Sequence, residues 1–151
     1  MRATRLVHLL LIALTSTGVG WIALDTLQRN GSDPLPVPWT APAGLLVLAA
    51  VVLGATREVR RWVTGRRRQA LSPLAAARIA VLAAAASYVG AGLAGWYSAQ
   101  ALVALRALVG NRRELFWLAV ASAVTALVLT IAGLVGQRWC RRPPSEEDEG
   151  A

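Results

Sequence analysis

The sequence predicts an all-α membrane protein, a bundle of four transmembrane helices with both termini in the cytoplasm. Three observations predict it. Four stretches, residues 6–26, 41–57, 74–105 and 115–137, are strongly apolar. Each approaches or exceeds the roughly 20 helical residues that cross a bilayer core about 30 Å thick. Together they use most of the 151 residues, and what remains is short links and tails, too little for a separate soluble domain. Arginine, finally, is dealt very unevenly between the flanks of the four stretches. The chain therefore reads as one membrane domain over residues 1–142, followed by a disordered acidic tail over 143–151.

Composition agrees. Hydrophobic residues make up 56% of the chain, and mean hydropathy is +0.50. The net charge of +8 comes from arginine alone, because there is no lysine. An Ala-, Arg-, Val- and Gly-rich chain without lysine points to a GC-rich bacterial genome. A pI near 11.5 would raise nucleic-acid binding in a soluble protein. Here the arginines flank apolar spans, so no nucleic-acid partner is expected and the cell membrane is the expected location, with multiple passes.

Helix 1 is expected over residues 4–27. Arg2, Arg5 and the apolar run after them resemble a signal peptide, and Thr15 to Gly20 resemble a cleavage region. Apolar character resumes at Trp21-Ile22-Ala23-Leu24, so an uncleaved helix is expected. Asp25 and Gln28 mark its exit into water, and Trp21 falls at aromatic-belt depth. Asn30-Gly31 favours a turn. Pro34, Pro36 and Pro38 then stiffen an extended strap that Trp39 anchors at the headgroups.

Helix 2 is expected to start at Pro42, with Thr40 or Ala41 as cap. Its uncharged part is short, and it should continue into water through residues 57–64. Val59, Trp62 and Val63 there form one apolar stripe among arginines, and Gly65 is a C-terminal stop. Ser72-Pro73 is a strong start signal for helix 3, with Ser as N-cap and Pro as first helical residue. That helix exceeds the bilayer thickness and must tilt or protrude. Arg78 can snorkel back to the headgroups. Asn111 with Glu114 resembles a capping box that opens helix 4. Helix 4 should end near residues 138–140, before Pro143-Pro144.

Orientation follows from arginine counts. Arg2, Arg5, Arg57, Arg60, Arg61, Arg66, Arg67, Arg68, Arg78, Arg138, Arg141 and Arg142 share one side if there are four spans, which gives 12 against 4 for Arg29, Arg106, Arg112 and Arg113. The positive-inside rule places the richer side in the cytoplasm.

Helix 3 carries two rows of small residues spaced four apart: Ala83, Ser87, Ala91, Gly95, and Ala86, Gly90, Ala94, Ser98. Small faces let helix backbones approach closely in lipid. Helix 4 offers Ala119, Ala123 and Ser122, Ala126 as partner rows. The face is expected to pack inside the bundle, with helix 3 as its hub; the alternative is a homo-oligomer or membrane-partner contact. Thr15, Ser16 and Thr17 are expected to bond helix carbonyls rather than line a solute path. Trp96-Tyr97 reads as belt or inter-helix packing. No acid or base falls at mid-membrane depth, where coupled transport usually needs one; Asp25, Glu58 and Glu114 read as interfacial. Arg66, Arg67 and Arg68 are candidates for anionic lipid headgroups. Cys140, the single cysteine, and His8, the single histidine, cannot build a metal cluster or an internal disulfide. No catalytic, cofactor or metal site is expected.

The chain resembles an actinobacterial membrane family, the domain of unknown function 3180. The resemblance rests on Pro36-Val37-Pro38-Trp39, on Leu71-Ser72-Pro73-Leu74-Ala75-Ala76-Ala77-Arg78, and on Gly90-Ala91-Gly92-Leu93-Ala94-Gly95-Trp96-Tyr97. It covers most of residues 2–142. The family pattern often carries a lysine near Ala84; this chain departs there, which puts any charge-based mechanism in doubt. Family genes tend to lie beside folate-biosynthesis genes, so the resemblance implies a link to pterin or folate metabolism by association, and it implies no activity. The expected role is a non-enzymatic integral membrane protein, a scaffold or accessory subunit. The alternative is a component of a small-solute transport system, linked to pterin or folate through the resemblance.

Overall fold

The computed structural model describes residues 2–31, 38–63, 73–106 and 113–139. These form four α-helices: α1 (Arg2–Arg29), α2 (Thr40–Val63), α3 (Pro73–Arg106) and α4 (Arg113–Trp139). There is no strand among the described residues. All four helices are long and apolar enough to cross a membrane. The expected elements are therefore present, with boundaries a few residues wider.

The ends follow local chemistry. Beyond α1, Gly31 takes φ +76°, the left-handed conformation that closes many helices. Its N–H donates to the Gln28 carbonyl at 3.1 Å, and the Asn30 N–H donates to the Thr26 carbonyl at 3.2 Å. Helix α2 begins two residues before the expected Pro42. The Ala41 N–H finds the Pro38 carbonyl at 3.0 Å, so the first turn closes ahead of the proline. Pro42 still lies in that turn, where a missing amide donor leaves no gap in the ladder. Helix α3 has 34 residues, about 51 Å at 1.5 Å per residue, and outruns the hydrocarbon core as expected. The expectations on Gly65, Arg66–Arg68, Ser72, Asn111, Cys140, Pro143, Pro144 and the acidic tail fall outside the described residues.

The helices stand in the order α1, α3, α4, α2, with α2 also leaning on α3. Helix α3 is the only one that meets all three others, and its contact with α4 is the most extensive. Helix α1 packs on α3 alone. Residue pairings give the directions. Ser16 meets Gly92, Thr17 meets Gly95 and Leu24 meets Ala99 and Val103, so α1 and α3 are parallel. Thr56 meets Gly136 and Arg60 meets Trp139, so α2 and α4 are parallel. Gly90 meets Thr130 while Gly133 meets Ser87, so α3 and α4 are antiparallel.

The α3–α4 crossing is close because two glycines, Gly90 of α3 and Gly133 of α4, make it so. A Cβ on Gly133 would lie 2.6 Å from the Ala83 carbonyl oxygen and 2.6 Å from the Ser87 nitrogen. Both obstacles are backbone, which cannot swing aside. On the other face of α3, a Cβ on Gly95 would strike the Ala13 carbonyl of α1. Dispersion between closely approached backbones drives association in lipid, where burying apolar surface gains little. The main core joins Leu45, Ala49 and Val52 of α2, Ala83, Ala86 and Ala94 of α3, and Ala126, Leu129 and Ala132 of α4. A smaller cluster of Leu24, Ala99 and Val103, covered by Trp21, holds α1 to α3.

This pairing collects charge by end. The start of α1, with Arg2 and Arg5, lies with Arg57, Arg60, Arg61, Arg78 and Arg138. Arg29, Arg106 and Arg113 lie at the opposite end.

Candidate functional site

Among the described residues, hydroxyls and the amides of Gln100 and Gln137 lie on or near the faces where helices meet. Ser16 and Thr17 are partly buried between α1 and α3. The Ser16 hydroxyl donates across to the Gly92 carbonyl at 2.7 Å. Thr17 donates to Ala13 of its own helix at 2.8 Å and to Gly95 across the interface at 3.1 Å. Thr15 is exposed and bonds back to Leu11 and Ile12. The three hydroxyls thus behave as the sequence indicated.

Deeper in the bundle the same chemistry repeats. Thr56, Ser87, Ser122, Thr125 and Thr130 are buried. Each donates to a carbonyl three or four residues earlier in its own helix, at 2.7 to 3.1 Å. Ser98 and Thr26 do the same. Placed in lipid, a hydroxyl without a partner is costly, and the preceding turn of helix is the nearest acceptor. Each of these hydroxyls thus spends its one O–H on a backbone carbonyl.

The small rows of α3 are covered within the chain. Ala83, Ser87, Ala91, Gly95, Ala86, Gly90 and Ala94 are buried, and Ser98 is partly so. On α4, Ala119, Ser122 and Ala126 are buried with them. Within the chain, α1 and α4 cover these rows.

Four features were not singled out from the sequence. Gly133 and Gly136 complete the close crossings, the latter with Thr56 Cγ2 2.6 Å from where its Cβ would be. Gln137 Nε2 donates to Ser87 Oγ at 2.9 Å, a side-chain bond between α4 and α3. The Arg106 guanidinium lies 4.1 Å from the Trp21 ring centroid, and Arg60 lies 4.9 Å from that of Trp139. These two contacts join the parallel pairs α1–α3 and α2–α4, each near its C-terminal end. Gln100 is partly buried, and its Oε1 meets no hydrogen-bond partner among the described residues. The visible signals were polar or glycine residues interrupting an apolar run.

The acids and aromatics near the helix ends are placed as follows. Asp25 accepts from Arg29 Nε at 2.8 Å, one turn on. Glu114 is exposed beside Arg113 at the start of α4. Trp96 packs against Gly20 of α1, and Tyr97 against the main core. Among the described residues, no three His, Cys, Asp or Glu side chains gather as a metal site would require.

A family model described as "Protein of unknown function (DUF3180)" matches residues 9–144. The chain belongs to this family. The DUF3180 match begins inside α1 and runs past the end of α4, so it takes in every helix described above. It includes the Pro-Val-Pro-Trp sequence, the Pro73–Arg78 sequence and the glycine-rich middle of α3 on which the resemblance rests. No curated protein and no solved structure matches the chain. With four apolar spans and membership of DUF3180, this is a multi-pass membrane protein.

Proposed function

We propose that the protein is a non-enzymatic integral component of the cell membrane, a scaffold or accessory subunit, with both termini in the cytoplasm. One observation carries the reading: the buried hydroxyls of the described residues donate to backbone carbonyls, and the close helix crossings are filled by glycine and alanine. Such an interior serves packing. The orientation is supported by the arginine asymmetry of 12 to 4 in the sequence, together with the helix directions, which bring the end of α2 with Arg57, Arg60 and Arg61 beside Arg78 and Arg138.

The test is extraction of tagged protein from native membranes in a mild detergent, followed by identification of what stays bound, with reconstitution into liposomes alongside. A stoichiometric membrane partner supports the accessory role. Uptake of a pterin or folate by liposomes holding this chain alone would overturn it in favour of transport.

A further inference from the structure

Asn30 and Gly31 form the turn that closes α1, and both are exposed. The Asn30 N–H still reaches back four residues, to the Thr26 carbonyl at 3.2 Å. The Gly31 N–H reaches back only three, to the Gln28 carbonyl at 3.1 Å, and Gly31 turns the chain out of the helix at φ +76°. The helical ladder ends on that bond. A Cβ added to Gly31 would meet nothing within 4 Å.

An asparagine followed by glycine carries both partners of a reaction. The amide nitrogen of the glycine closes a five-membered ring on the side-chain carbonyl carbon of the asparagine, and glycine has no side chain to obstruct the closure. Inside a helix the reaction is held off, because each N–H is donated along the axis to a carbonyl one turn back. At Gly31 that protection is one bond in the last, exposed turn.

We propose that Asn30-Gly31 is a site of spontaneous deamidation, gated by opening of the bond from Gly31 to Gln28. Once the bond opens, the Gly31 nitrogen loses its proton to hydroxide and attacks Cγ of Asn30. The N–Cγ bond forms, the Cγ–Nδ2 bond breaks, and Nδ2 takes a proton from water and leaves as ammonia. The product is a succinimide. Water then adds to one of its two carbonyl carbons. Opening on one side leaves aspartate, and opening on the other leaves isoaspartate, in which the backbone runs through the former side chain. The new carboxylate stands just past the C-terminus of α1, where the helix dipole disfavours an anion. It adjoins Arg29, whose Nε already bonds Asp25. The site is independent of the scaffold reading and would stand if that reading failed.

The test incubates the full chain in detergent micelles at mildly alkaline pH, beside a synthetic peptide of residues 27–34. Mass mapping follows the exchange of amide for acid, and chromatography separates aspartate from isoaspartate. Both products should appear at residue 30. The full chain should react more slowly than the peptide by about two- to twelvefold, the opening constant of one net hydrogen bond. The rate should climb with pH, since the nucleophile is a deprotonated amide. Asn30→Gln, which needs a six-membered ring, should lose the product while unfolding at the wild-type temperature. Aspartate without isoaspartate would show direct hydrolysis and overturn the ring closure. A full chain as fast as the peptide would overturn the gating bond. A full chain still intact once that factor has been exceeded, a rate indifferent to pH, or undiminished product in Asn30→Gln would each overturn the site.

Discussion

Gln137 of α4 donates its amide N–H to the hydroxyl of Ser87 on α3, at 2.9 Å. The Ser87 O–H donates in turn to the Ala84 carbonyl at 2.7 Å, so two helices share a short chain of bonds beside the Gly133 crossing. Removing the hydroxyl should therefore be felt across the interface. Ser87→Ala is expected to lower unfolding stability by about 0.6–1.7 kcal/mol, the range of interhelical bonds in lipid. Thermal unfolding of the purified protein in detergent reads this, with Ser98→Ala as the comparison, since Ser98 bonds only its own helix at Ala94.

Glycines on this chain should divide sharply by position. Gly133→Ala places a methyl against the backbone of Ala83 and Ser87 and is expected to cost about 1–3 kcal/mol through overpacking. Gly95→Leu should separate α1 from α3 by the same logic. Gly18, Gly44 and Gly54 meet nothing within 4 Å of an added Cβ. Alanine there should be neutral or stabilising by up to about 1 kcal/mol from helix propensity. If Gly133→Ala and Gly54→Ala melt at the same temperature, the crossing described here is wrong.

The Trp21–Arg106 contact joins α1 to α3 at the end where α1 leaves the bundle. Trp21→Leu keeps an apolar cover over Leu24, Ala99 and Val103 but removes the ring under the guanidinium. It should lower stability by about 0.5–2 kcal/mol. Limited proteolysis between α1 and α2 should quicken in parallel, while Trp117→Leu, at an exposed position, should leave both readouts unchanged.

Topology is checked with reporter fusions. An alkaline phosphatase fused after residue 151 should be inactive, and the same enzyme inserted in the 32–37 link should be active. Activity at residue 151 would reverse the orientation proposed from the arginines.

The four spans, the hub role of α3 and the bonding of Ser16 and Thr17 could be read from the sequence because each has a strong local signal. Apolar length marks a span, Pro73 suits the first turn of α3, and two rows of small residues mark its packing faces. The lateral order of the helices had no such signal. In lipid an outward Leu10 or Val51 is as apolar as an inward Leu45 or Val52, so polarity does not distinguish the faces. Gly133, Gly136 and Gln137 escaped notice because they lie near the end of a strongly apolar helix, outside the small-residue rows. The Trp21–Arg106 and Arg60–Trp139 contacts join residues about eighty positions apart, and no sequence pattern foretells those pairs.

The separation of α1 from α2 also bears on biosynthesis. Helices emerge from the ribosome in chain order, yet the first two have no shared surface in the finished bundle. Once inserted, α1 must drift in the bilayer until α3 is made, and α2 gains its main neighbour only with α4. Assembly can then begin in earnest only late in translation. A chain truncated after α2 should leave two lone spans open to membrane quality-control proteases, whereas one truncated after α3 already holds the α1–α3 pair.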